Sequence, residues 1–133
     1  DIPLNLAVIP DEVDPRIGDD LAGCTLLQHG VLHKNFSKEG QKKSEFPETR
    51  SLTDCVKDLK QGKARMEELF GDLFYPVFVP PWNRISDQVI KELKILGFVG
   101  ISRYKARASA QPVAGLAEIN THIDPVFFLS LLP

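Results

Sequence analysis

The run CTLLQHGVLH closes on two histidines four residues apart, His29 and His33. Neutral imidazoles are metal ligands, and two of them make half of a catalytic zinc set, which takes three protein ligands and leaves one position for water. In extended backbone the two would stand roughly 13 Å apart, too far to share one ion. They converge only if the chain curls. Gly30, directly after the first histidine, permits that bend, and a single helical turn would put both rings on one face. The competing reading is a pair of ordinary surface or core histidines without metal.

Two further polar motifs carry candidate chemistry. In AEINTHID, Asn120, His122 and Asp124 alternate and so share a face of any extended segment. His122 could serve there as a general acid with Asp124 orienting or charging its imidazole; the plainer alternative is a strand end facing solvent. In FVPPWNR, Trp82 could form an apolar wall against a sugar ring, while Arg84 fixes a carboxylate or the oxyanion side of a reaction. The alternative is a stiff Pro-Pro strand end, Pro80 and Pro81, with Trp82 plugging the core. A third reading, the Pro-Pro-aromatic motif of amino-methyltransferases, needs an amide or carboxylate where Val79 stands. It also lacks a glycine-rich nucleotide loop.

These motifs need elements that bring them to one place. IPLNLAVIP, residues 2–10, is short, apolar and closed by proline, as suits a buried strand of a parallel sheet. DEVDPRIGDDLAG reads as a short helical stretch with Pro15 in its first turn and Gly23 at its end. CTLLQHG is a second strand. The segment from Ser51 to Gly71 is a helix, with Ser51 as its cap, a stripe of Leu52, Val56, Leu59, Met66, Leu69 and Phe70, and Gly62 weakening its middle. YPVFV is a third strand and FVGIS a fourth, separated by a helix over 86–97 that Ser86 caps and that turns Val89, Ile90, Leu93 and Leu96 inward. LAEINTHID is a fifth strand. Strands alternating with helices imply βαβ units, a parallel sheet or barrel, and chemistry at the carboxyl ends of the strands. All three motifs fall at such ends.

Bulk composition narrows the partners. The chain is 43% hydrophobic and 26% charged over 133 residues, enough for one domain with a core. A formal charge of −2 gives no electrostatic case for nucleic acid or an anionic membrane. No run approaches a membrane span, and no basic-then-apolar leader opens the chain. Compartment and oligomeric state leave no readable sign. The mixed-charge stretch KEGQKKSEFPETR, residues 38–50, reads as a solvated loop. Cys24 and Cys55 lack the paired spacing of a zinc knuckle and read as buried thiols.

Taken in order, these motifs resemble the polysaccharide deacetylase family, the NodB-homology group or carbohydrate esterase family four. QHGVLHKN looks like that family's His-x-x-x-His metal motif, FVPPWNR like its Arg-x-Pro-aromatic motif and INTHIDP like its late Leu-x-His motif. The resemblance spans nearly the whole chain. It implies a distorted (β/α) barrel, incomplete at the N-terminus of residues 1–133, and removal of N- or O-acetyl groups from a carbohydrate. It further implies a divalent ion, zinc above others, held by His29 and His33, with His122 as general acid assisted by Asp124. Trp82, Pro81 and Asn120 would line the substrate groove. Two departures stand out. The family's Thr-Phe-Asp-Asp-Gly motif, source of a base and a third ligand, is absent from this sequence and is expected upstream of Ile2. Val79 occupies the family arginine's position, leaving Arg84 as the substitute candidate. A non-catalytic carbohydrate- or metal-binding relative is the alternative function.

Overall fold

Five strands, all parallel, run side by side in the order in which the chain makes them. In this computed structural model the described residues are 4–21, 23–104 and 106–120. The strands are β1 (Leu4–Val8), β2 (Cys24–His29), β3 (Phe74–Val79), β4 (Gly100–Ile101) and β5 (Ala117–Glu118). Between them lie the helices α1 (Leu52–Phe70) and α2 (Asp87–Ile95). The connection from β1 to β2 is a 3-10 segment over Pro15–Asp20 where the sequence suggests a helix; Asp14 caps it by accepting from the Arg16 N–H. The outer strands are also shorter than the sequence patterns: β4 and β5 keep two residues each.

The pleat divides the sheet into a helix face and an open face. In β2, Leu26 and Gln28 are buried between half-buried neighbours; in β3, Phe74 and Phe78 are buried while Tyr75 is exposed. Leu26 and Phe74 pack with Met66 and Phe70 of α1, together with the half-buried Leu6 of β1. Farther along, Phe78 and Ile101 pack with Cys55 and Leu59 of α1 and with Val89, Ile90 and Leu93 of α2. Phe78 meets Phe46 and Phe98 edge-on, both at 5.6 Å between centroids, a geometry that adds about 0.5–1.5 kcal/mol per pair to simple burial. Both helices therefore cover the same face. Strands in chain order with helices on one face are what right-handed crossovers produce in a singly wound sheet. Among the described residues the sheet is a wall whose two edges, β1 and β5, do not pair with each other.

The helices begin and end as their sequences dictate. Ser51 Oγ accepts from the Asp54 N–H at 3.4 Å, and Gly71, at φ 48°, ends α1. Gly62 is buried in the middle of α1 for a packing reason: a Cβ there would lie 2.8 Å from Gln28 Nε2 and 3.1 Å from Val31. The helix thereby approaches the end of β2 more closely than any larger residue would allow. Ser86 precedes α2 but makes no capping bond through its side chain; its N–H instead donates to the Phe46 carbonyl.

The 38–50 loop is less solvated than its charges suggest. Its tip is exposed, but Ser44, Glu45 and Phe46 are buried. Phe46 forms a bridge with Ile85 and inserts its ring against Phe78. Cys55 is fully buried and Cys24 half-buried, both as free thiols.

Candidate functional site

The site begins where β2 ends. His29 is the last residue of that strand, beside Val79 at the end of β3. Its Nδ1 donates to the Val79 carbonyl at 3.0 Å, which fixes the tautomer and leaves the Nε2 lone pair free. A ligating histidine typically has its other nitrogen tied to a carbonyl in this way. Burial holds the imidazole below its ordinary pKa of 6.5, with a smaller push the same way from His33, against the opposing bond to Val79. His29 is thus a neutral, oriented donor.

After His29 the chain turns sharply. Gly30 has φ 60°, and a Cβ on it would fall 2.1 Å from Glu45 Oε2 and 2.5 Å from Pro81 Cγ. Only glycine fits this position, both by conformation and by space. Its N–H donates to the Val79 carbonyl at 3.1 Å, closing the turn onto β3. His33 ends the turn in the left-handed region at φ 50°, a conformation that costs a residue with a Cβ roughly 1–2 kcal/mol. The result is that the His29 and His33 rings stand 5.0 Å apart, tilted by 46°. The spacing that separates them in an extended chain is undone by the bend at Gly30, although by a left-handed turn and not by a turn of α-helix.

Trp82 joins them from β3. It follows the rigid Pro80–Pro81 pair, and both it and Asn83 are left-handed, at φ 54° and 57°. Its ring lies 4.6 Å from that of His33. Trp82 is only half-buried, so it is a wall of the site and not a plug of the core. Pro81 is buried and supports the turn through its approach to Gly30.

The remaining candidates are placed differently. Arg84 is exposed, and its guanidinium donates to the Lys43 carbonyl at 3.1 Å, beside a hollow of about 380 Å³ formed with Gln41, Lys42, Glu48 and Ile85. Asn120 is committed at both ends of its amide: Oδ1 accepts from the Arg103 N–H at 2.8 Å and Nδ2 donates to Glu118 Oε1 at 3.0 Å. Glu118 is 1% exposed and pairs with the Arg103 guanidinium at 2.7 Å. This polar knot ties the ends of β4 and β5. His122 and Asp124 lie outside the described residues.

Sequence reasoning missed Glu45, a residue from another loop that bonds to the turn. Glu45 is fully buried, and its Oε1 accepts from the Val31 and Leu32 N–H groups at 3.1 and 2.7 Å. Burial raises its carboxyl above the ordinary 4.5, opposed by the N–H groups of Leu32 and Val31 and by the charges of Arg50 and His33. The available signal was Phe46, a lone aromatic in a charged loop, which marks a point where that loop must dip into the core.

His29 and His33 suit a divalent ion in donor chemistry, and the Val79 carbonyl orients one of them. Among the described residues no group of three or more His, Cys, Asp or Glu side chains converges. An ion held by this pair would need a further ligand from outside the described residues.

No protein-family profile and no curated protein sequence matches the chain. A solved structure does match in fold: a putative polysaccharide deacetylase from Mycobacterium smegmatis, with a TM-score of 0.64 over 91% of this chain at 20% sequence identity. The chain spans 41% of the length of that protein. The likeness establishes a deacetylase-like α/β fold.

Proposed function

We propose that this chain contributes half of the metal site of a hydrolase that removes N- or O-acetyl groups from a carbohydrate. The observation that carries the reading is the cluster of His29, His33 and Trp82 rings at the carboxyl end of the sheet, where parallel α/β folds gather their chemistry. The fold neighbour, named as a polysaccharide deacetylase, supports the same reading. So does the singly wound sheet, which fits one wall of a distorted (β/α) barrel.

A divalent ion, zinc above others, would supply an activated water and polarise the acetyl carbonyl. The residues of this chain do the rest. His29 offers Nε2 from a ring held by Val79, and His33 offers its ring from a turn that cannot relax while Gly30 is wedged between Glu45 and Pro81. Trp82 presents aromatic surface next to the ligand pair, the kind of surface on which the apolar face of a sugar ring packs. His122, aided by Asp124, is the proposed general acid on the resemblance of INTHIDP to the family motif. Pro81 acts as a support of the turn, and Asn120 and Arg84 as ties between loops, since both side chains are engaged there.

The test is acetate release from N-acetylglucosamine oligomers and from O-acetylated sugars with zinc present. The proposal expects release that disappears in a His29→Ala, His33→Ala variant. Zinc and sugar binding without any acetate release would favour the second reading, a non-catalytic carbohydrate- or metal-binding relative, which the incomplete ligand set among the described residues keeps open.

A further inference from the structure

The turn between the two histidines is hydrogen-bonded along its whole backbone, and one side chain from a distant loop serves two successive N–H groups of it. Glu45 Oε1 accepts from Val31 N at 3.1 Å and Leu32 N at 2.7 Å, and Oε2 lies 3.2 Å from Val31 N. Around it, the Gln28 amide donates to the Gly30 carbonyl at 3.0 Å, Gly30 N donates to the Val79 carbonyl and the Val31 carbonyl accepts from Asp11 N. All five polar backbone groups from Gly30 N to Leu32 N are accounted for by these bonds. Such saturation is what a buried irregular turn requires, because water cannot serve it.

From this geometry we infer that Glu45 is a positioning residue, which locks the turn so that His29 and His33 face each other before any ligand binds. The inference rests on the metal-site reading above and extends it to the device that builds the site. A carboxylate is the suitable group because it is acceptor-only and can serve two successive N–H donors. An amide in its place has one acceptor oxygen, and its NH2 would confront a donor. Gly30 is the counterpart of Glu45: the carboxylate occupies the space a side chain at 30 would need. The loop that carries Glu45 is itself held, since Arg50 donates to the Glu45 carbonyl and pairs with Asp58 of α1. The apparently solvated 38–50 loop thus reaches across the site to set the shape of a turn elsewhere in the sequence.

The experiment compares wild type with Glu45→Gln and Glu45→Ala, metal-free, by NMR, and then measures zinc affinity calorimetrically. Wild type should show slowly exchanging amides at Val31 and Leu32 and a cross-peak between the His29 and His33 rings. In Glu45→Gln, with helix content retained, exchange of at least one of these amides should accelerate about tenfold or more, as expected for loss of a charge-assisted bond. The ring cross-peak should weaken, and the zinc Kd should rise about tenfold, as for other residues that orient ligands. Wild-type amides at 31 and 32 exchanging as fast as those of the exposed loop tip would overturn the inference, whether or not either variant folds. Unchanged amides, cross-peak and zinc affinity in Glu45→Gln would overturn it as well. A wild type that binds no zinc but keeps the protected amides and the cross-peak would refute the metal-site reading while leaving the lock supported.

Discussion

His29 and His33 face each other across 5.0 Å although the first ends a strand and the second sits in a left-handed turn. Their proximity is imposed from outside the segment. Val79 holds one ring, Trp82 flanks the other, and Glu45 and Pro81 leave room only for glycine between them. Each of these contacts can be broken separately.

Gly30→Ala should be among the most damaging single changes in the chain. The substitution places a Cβ at φ 60° and within 2.1 Å of Glu45 Oε2. Left-handed strain and overpacking together should cost about 2–5 kcal/mol. Chemical denaturation would measure it, and a loss under about 1 kcal/mol would mean the turn is far softer than described.

Trp82 is the chain's single tryptophan, so its fluorescence reports on the site alone. With the His33 ring 4.6 Å away, zinc binding should change its emission intensity. The change should vanish in His33→Ala. An identical zinc response in that variant would show that the ion binds elsewhere.

Cys55 supplies a pH-dependent test of the core beneath the site. Burial pushes its thiol above the ordinary 9.0, outweighing the pull of Arg50. The sign follows from the raised folded value: the contribution to stability is complete below the unfolded thiol's pKa and is lost as pH rises through the folded one. Between about pH 8 and 10, wild type should therefore lose more stability than Cys55→Ala. In native protein a thiol reagent should modify the half-buried Cys24 quickly and Cys55 only as fast as the fold opens. Equal rates at the two thiols would contradict the packing of α1 on the sheet.

Much of this architecture is legible in the sequence, and the exceptions have physical causes. The two helices announce themselves through the serines that precede them and their apolar stripes, though only Ser51 caps through its side chain, and α1 buries Leu59, Met66 and Phe70 as its spacing requires. Cys55 and Gly62 fall on that same face, four residues before and three after Leu59, and Gly62 there leaves room for Gln28 of β2 and Val31 of the turn. The β1–β2 connection tightens to 3-10 geometry, with Ile17 and Leu21 packed against the Leu26 cluster. The bend at Gly30 was readable from residue type, but its partner Glu45 was hidden by charged neighbours that make the loop look solvated. Asn120, which the resemblance puts in the substrate groove, bonds to Arg103 and Glu118, a pairing that depends on β4 and β5 meeting in space.

The most direct measurement is the zinc content of the purified protein beside that of the His29→Ala, His33→Ala variant, after both are equilibrated with zinc and freed of excess. The account predicts bound zinc in the wild type and its loss when both imidazoles are removed. Equal zinc in the two proteins would contradict it.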